Sequence, residues 1–143
     1  MPHRHAPATA ELLFLLLAAG AGCAARPTVA VTSGSQVLTL EDHERKIHLA
    51  PGDVLTLRLD AVPSTGYGWA VVENDVALLE PLGEPSFEPA GDPPATGPLG
   101  ASGRQVFRFR AHDPGRQKLE LHYRRIWEKK PPLKTFAIEV RIQ

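Results

Sequence analysis

The chain has one cysteine, Cys23, so no disulfide can form within it and any folded domain must hold by its core alone. It has no surplus of either charge. Its 16 basic and 16 acidic residues cancel, which removes the global field that would draw a protein to nucleic acid or to an acidic membrane surface. It has no apolar run of the roughly 20 residues that a spanning helix requires. The groupings that catalysis needs are missing as well. No glycine-rich phosphate loop joins a strand to a helix, and His43, His48, His112 and His122 show no HxH or HxxxH spacing for a metal. The acidic residues are scattered apart from Glu41, Asp42 and Glu44, which have the look of a charged turn. With no nucleophile beside a base, no enzyme activity, no metal and no cofactor are expected. Arg124, Arg125, Lys129 and Lys130 do surround Trp127, but a neutral chain without an aromatic platform gives no nucleic-acid partner.

At the N-terminus stands an apolar run at residues 12–19 (LLFLLLAA), with Arg4 before it and small residues after it up to Cys23. This is the pattern of a secretory leader. Residues 1–22 are expected to be a signal peptide and residues 23–27 a linker, with residues 28–143 forming one domain. Cys23 follows Gly20-Ala21-Gly22, where a bacterial lipoprotein carries its acylated cysteine, although the usual Leu three positions earlier is Gly20 here. Cleavage by ordinary signal peptidase after Ala21 or Ala25 is the alternative. The first route gives a periplasmic or outer-surface lipoprotein touching the membrane only through a lipid on Cys23, and the second a soluble secreted protein.

Beyond the leader the chain is rich in turn formers, with 14 prolines and 12 glycines, and its apolar runs are short. Val54 to Leu59 alternates, with Leu55, Leu57 and Leu59 on one face, as a half-buried strand does. Val106 to Ala111 places Phe107, Phe109 and Ala111 inward. Lys118 to Tyr123 and Thr135 to Ile142 repeat the pattern. Trp69 to Val72 is a further strand, and Val29 to Val31, Val37 to Leu40 and Lys46 to Leu49 are weaker ones. One helical turn has room near Asn74 to Leu79. Leu82 to Gly103, with five prolines and five glycines, is expected to be a long exposed loop. Seven or eight short strands at this spacing predict an all-β, immunoglobulin-like sandwich of two antiparallel sheets, without the disulfide of antibody domains.

Three loops remain. Val62-Pro63-Ser64-Thr65-Gly66-Tyr67-Gly68-Trp69 joins two strands, Leu99-Gly100-Ala101-Ser102-Gly103 precedes a third, and Tyr123-Arg124-Arg125-Ile126-Trp127-Glu128 leads toward the last. Each alone is ordinary turn chemistry, apart from a tryptophan at a loop tip. Together and in this order they resemble the chagasin family of cysteine protease inhibitors, which carry an Asn-Pro-Thr-Thr-Gly-Tyr loop, a glycine-containing loop and an Arg-Pro-Trp loop. The resemblance covers roughly Ile47 to Ile142. Val62, Ser64 and Ile126 depart from it.

The resemblance implies a monomeric, non-covalent inhibitor whose partner is a papain-family cysteine protease. Pro63, Ser64, Thr65, Gly66 and Tyr67 would enter the cleft over the catalytic pair. Gly100, Ala101, Ser102 and Gly103 would lie along it, and Arg125 and Trp127 would bind on the opposite side. An exported adhesive or assembly module using the same end of the sandwich is the rival reading, but it would not need Thr-Gly-Tyr and Arg-x-Trp together.

Overall fold

The computed structural model describes residues 34–91 and 102–143, and the strands named below are those of the described residues. They number nine, in two sheets. One sheet runs in the order β1 (Ser35–Thr39), β3 (Val54–Ala61), β7 (Gly103–Ala111), β5 (Leu79–Pro81), with β6 (Ser86–Pro89) also on β7. The other runs β2 (Lys46–Leu49), β9 (Lys134–Ile142), β8 (Gly115–Arg124), β4 (Gly68–Glu73).

The alternation seen in the sequence becomes the core. Leu55, Leu57 and Leu59 of β3 and Phe107 and Phe109 of β7 meet Leu119 and Leu121 of β8 and Phe136, Ile138 and Val140 of β9, all buried between the sheets. Each such side chain stabilises the fold by roughly 1.5–3 kcal/mol relative to exposure. Arg104, Arg108 and Arg110 of β7 point to the opposite face and stay exposed. The immunoglobulin-like sandwich predicted from the pattern is therefore the observed fold, with two differences in detail.

Two pairings are parallel, β1 with β3 and β2 with β9. The chain climbs the first sheet as β1, crosses at a 3₁₀ turn (Leu40–Asp42), descends the second as β2 and returns to the first as β3. Period-two alternation marks the buried face but not the strand direction. Next, the span from Leu82 to Gly103, expected to be loop throughout, contains β6. Pro85 precedes and Pro89 closes a four-residue strand at the edge of the sheet, every residue of it exposed. Asn74 to Leu79 holds the single turn for which the sequence has room, in which the amides of Leu78 and Leu79 donate to the Asp75 carbonyl at 3.1 and 2.9 Å and which delivers the chain to β5. Val29 to Val31 lies outside the described residues.

One buried carboxylate organises the start of the domain. Asp53 accepts from the backbone amides of Gly34 at 2.6 Å and Ala50 at 2.8 Å, fixing the entry to β1 beside the entry to β3. The opposite ends of the strands carry the loops.

Candidate functional site: three loops at one end of the sandwich

The first loop leaves β3 at Val62. Pro63 opens a 3₁₀ turn (Pro63–Thr65), where its fixed φ suits the first position. The amide and hydroxyl of Thr65 both donate to the Val62 carbonyl, at 3.1 and 2.6 Å, and the Gly66 amide donates to the Pro63 carbonyl at 2.9 Å. Gly66 then takes φ +78°, a left-handed conformation that glycine adopts without penalty. The base of the loop is pinned from the other sheet, since the Val62 amide donates to the Tyr123 hydroxyl at 3.2 Å.

The third loop folds onto the first. Arg125 donates through Nε to the Thr65 carbonyl at 3.0 Å and through Nη1 to Glu128 at 3.0 Å, while its guanidinium carbon lies 4.5 Å from the centre of the Tyr67 ring. The hydrogen bond from Arg125, helped by the nearby charge of Lys130, holds the Glu128 carboxyl below its ordinary range against partial desolvation. Trp127 packs the Cη2 and Cζ2 edge of its ring against Gly66. A Cβ at Gly66 would stand 2.7 Å from Cη2 of that ring. Even so, Trp127 remains 66% exposed and Ile126 76% exposed, a high apolar exposure for adjacent residues.

Beneath the tip lies an aromatic base. Tyr123 stacks against Tyr67 and Trp69 with ring centres 5.6 and 5.2 Å away, and the Trp69 indole donates to the Asp60 carbonyl at 3.0 Å. The Gln105 side chain, reaching over from β7, bonds both backbone groups of Trp69. Gln105 was missed in the sequence. Its signal was a polar residue at an inward position of the β7 alternation.

The candidate residues divide as follows. Pro63, Ser64, Thr65, Gly66 and Tyr67 are brought together with Arg125 and Trp127. Ser102 is exposed at the same end, its carbonyl accepting from the Ala90 amide at 2.9 Å. Gly103 is buried within β7, opposite Ala61 and Pro89, where a Cβ would collide with the Glu88 carbonyl and the Phe87 ring. Its missing side chain thus serves the contact between β6 and β7. Gly100, Ala101 and Cys23 lie outside the described residues.

Among the described residues no three His, Cys, Asp or Glu side chains converge as metal ligands. The tip offers braced backbone, an arginine already committed to holding it and two exposed apolar side chains. Such a surface is built to be covered by another protein.

Comparison with known proteins agrees. Amoebiasin-1 of Entamoeba histolytica is 29% identical over 106 residues, covering 74% of this chain and 98% of its own. A cysteine protease inhibitor of the same organism, EhICP2, superposes with a TM-score of 0.68 at 25% identity, over 78% of this chain and 98% of its own. PbICP-C, whose structure is known in complex with falcipain-2, shares the fold with a TM-score of 0.50 at 17% identity, over 78% of this chain and all of its own. Residues 48–140, from β2 through β9 and including all three loops, match the family described as chagasin family peptidase inhibitor. The chain belongs to that family.

Proposed function

We propose that the protein is a reversible, non-covalent inhibitor of papain-like cysteine proteases that fills the active-site cleft with its loop end. Thr65 and Gly66 lie nearest the catalytic pair, Gly100 to Ser102 run along the cleft, and Trp127 lies on its far side. The observation that carries this reading is the mutual bracing of the first and third loops. Arg125 grips the Thr65 carbonyl and Trp127 packs on Gly66, contacts made entirely within the chain, so little ordering cost remains when a protease arrives. The interaction needs no chemistry from the inhibitor. Titration into papain with a fluorogenic peptide should give loss of activity that saturates at one inhibitor per enzyme and is competitive with substrate. Unchanged papain activity at micromolar inhibitor would defeat the proposal.

The leader supports export, with Cys23 as the acylated first residue of the mature protein. Intact-mass measurement checks this. A lipid-bearing species starting at Cys23 is expected, and an unmodified start at Gly22 or Arg26 would replace it with soluble secretion.

A further inference from the structure

A second surface begins where the wedge ends. Between the loop tip and β6 lies a cleft of about 410 Å³. Its lining includes Pro63, Ile126 and Trp127 of the loop tip, Phe87 of β6, and, at what we take as its floor, Gln105, together with Arg124. Phe87 is 39% exposed, on a strand with no other large apolar residue. The floor makes no demand for a polar ligand, because both ends of the Gln105 amide are taken by the Trp69 backbone. Arg124 is different. Its Nε is buried without a hydrogen-bond partner, and among the described residues no carboxylate lies within ion-pair distance of it.

We infer that this cleft is a fourth contact region for the protease, taking an apolar side chain from the rim of the active site beside a carboxylate that Arg124 meets. The inference rests on the inhibitor reading. It identifies the occupant through continuity, since Trp127 and Pro63 are walls of the cleft and parts of the wedge at once. A protease seated on the wedge therefore reaches the cleft without a second docking event. Burying Phe87 and Ile126 would remove the apolar exposure, and a carboxylate from the protease would balance the charge of Arg124, which no carboxylate among the described residues does.

The test is a set of inhibition constants against papain for the parent, Phe87→Ala, Arg124→Gln, Arg124→Glu and, as a reference for the wedge, Trp127→Ala, each with a melting curve. Phe87→Ala should weaken inhibition about tenfold. Arg124→Gln should weaken it about threefold and Arg124→Glu more, with the loss shrinking at high salt. Because Phe87 also packs on Gly103, its variant could lose stability, in which case the two Arg124 variants decide alone. Parent affinity in folded Phe87 and Arg124 variants, alongside weakened Trp127→Ala, would overturn the fourth contact and leave the wedge intact. A parent protein that does not inhibit at all would instead remove the inhibitor reading, and this inference with it.

Discussion

The side-chain amide of Gln105 in β7 brackets the backbone of Trp69 in β4, accepting from its N–H at 2.9 Å and donating to its carbonyl at 3.1 Å. One side chain thus imitates a strand and stitches the two sheets together two residues below Tyr67. Gln105→Leu keeps the volume but leaves both backbone groups without partners, a loss on the order of 2 kcal/mol. We expect a lower denaturation midpoint together with weaker inhibition, although Gln105 lies beneath the tip. Unchanged stability would mean that water replaces the amide at no cost.

Gly66 and Trp127 should be coupled energetically. Gly66→Ala meets two obstacles, the positive φ and the Trp127 ring where its Cβ must go. In a Trp127→Ala background the second obstacle is gone, leaving about 1 kcal/mol from the backbone alone. A double-mutant cycle on inhibition constants should therefore show a clearly non-additive pair. Additive losses would indicate that the ring simply moves aside.

Arg125→Lys should behave as a serious change. An ammonium cannot hold the Thr65 carbonyl and Glu128 in one plane while stacking on Tyr67. Inhibition about tenfold weaker is expected, with the melting temperature shifted by only a few degrees.

Acid should loosen the same anchor late. The Glu128 carboxyl is depressed in the folded protein, chiefly by the Arg125 hydrogen bond. Its contribution is therefore complete above the unfolded value and lost as pH falls through the lower folded value. Relative to Glu128→Gln, the parent should keep a constant advantage between about pH 5 and 7 and lose it only below the ordinary carboxylate range. A ratio that already declined near neutrality would contradict the assignment.

Gly103→Ala separates structure from recognition. A methyl group there collides with the Glu88 carbonyl and the Phe87 ring, so β6 must detach or shift. The melting temperature should drop by several degrees, and hydrogen exchange should quicken in residues 86–89. An unchanged melting curve would show that β6 yields at no cost.

How much of this could be seen in the sequence depends on how far apart the interacting residues are. Leu55, Leu57 and Leu59, or Phe136, Ile138 and Val140, announce a buried face within a few positions, because strand side chains alternate. The Thr65-Gly66 turn and the Trp127 loop were visible for the same reason of locality. What joins them was not. Arg125 bonds a carbonyl 60 residues earlier, and Gln105 reaches a strand 36 residues away. The parallel pairings of β1 with β3 and of β2 with β9, and the short strand β6, likewise depend on partners no local pattern names. Gly103 shows the converse. Its glycine was expected to let inhibitor and protease backbones pair, and the structure accounts for it by packing against β6.

The Asp53 clamp has a consequence for how the molecule is displayed. It holds Gly34 beside the start of β3, and Ser35 faces Val54 there, whereas the loop that carries Thr65 and Gly66 departs from the far end of the same strand at Val62. Eight residues of β3 at about 3.3 Å each put roughly 26 Å between them. The last strand finishes at the clamp end too, with Ile142 opposite Gly115. The chain therefore enters the domain, and leaves its last strand, at the end opposite the one that carries Thr65 and Gly66.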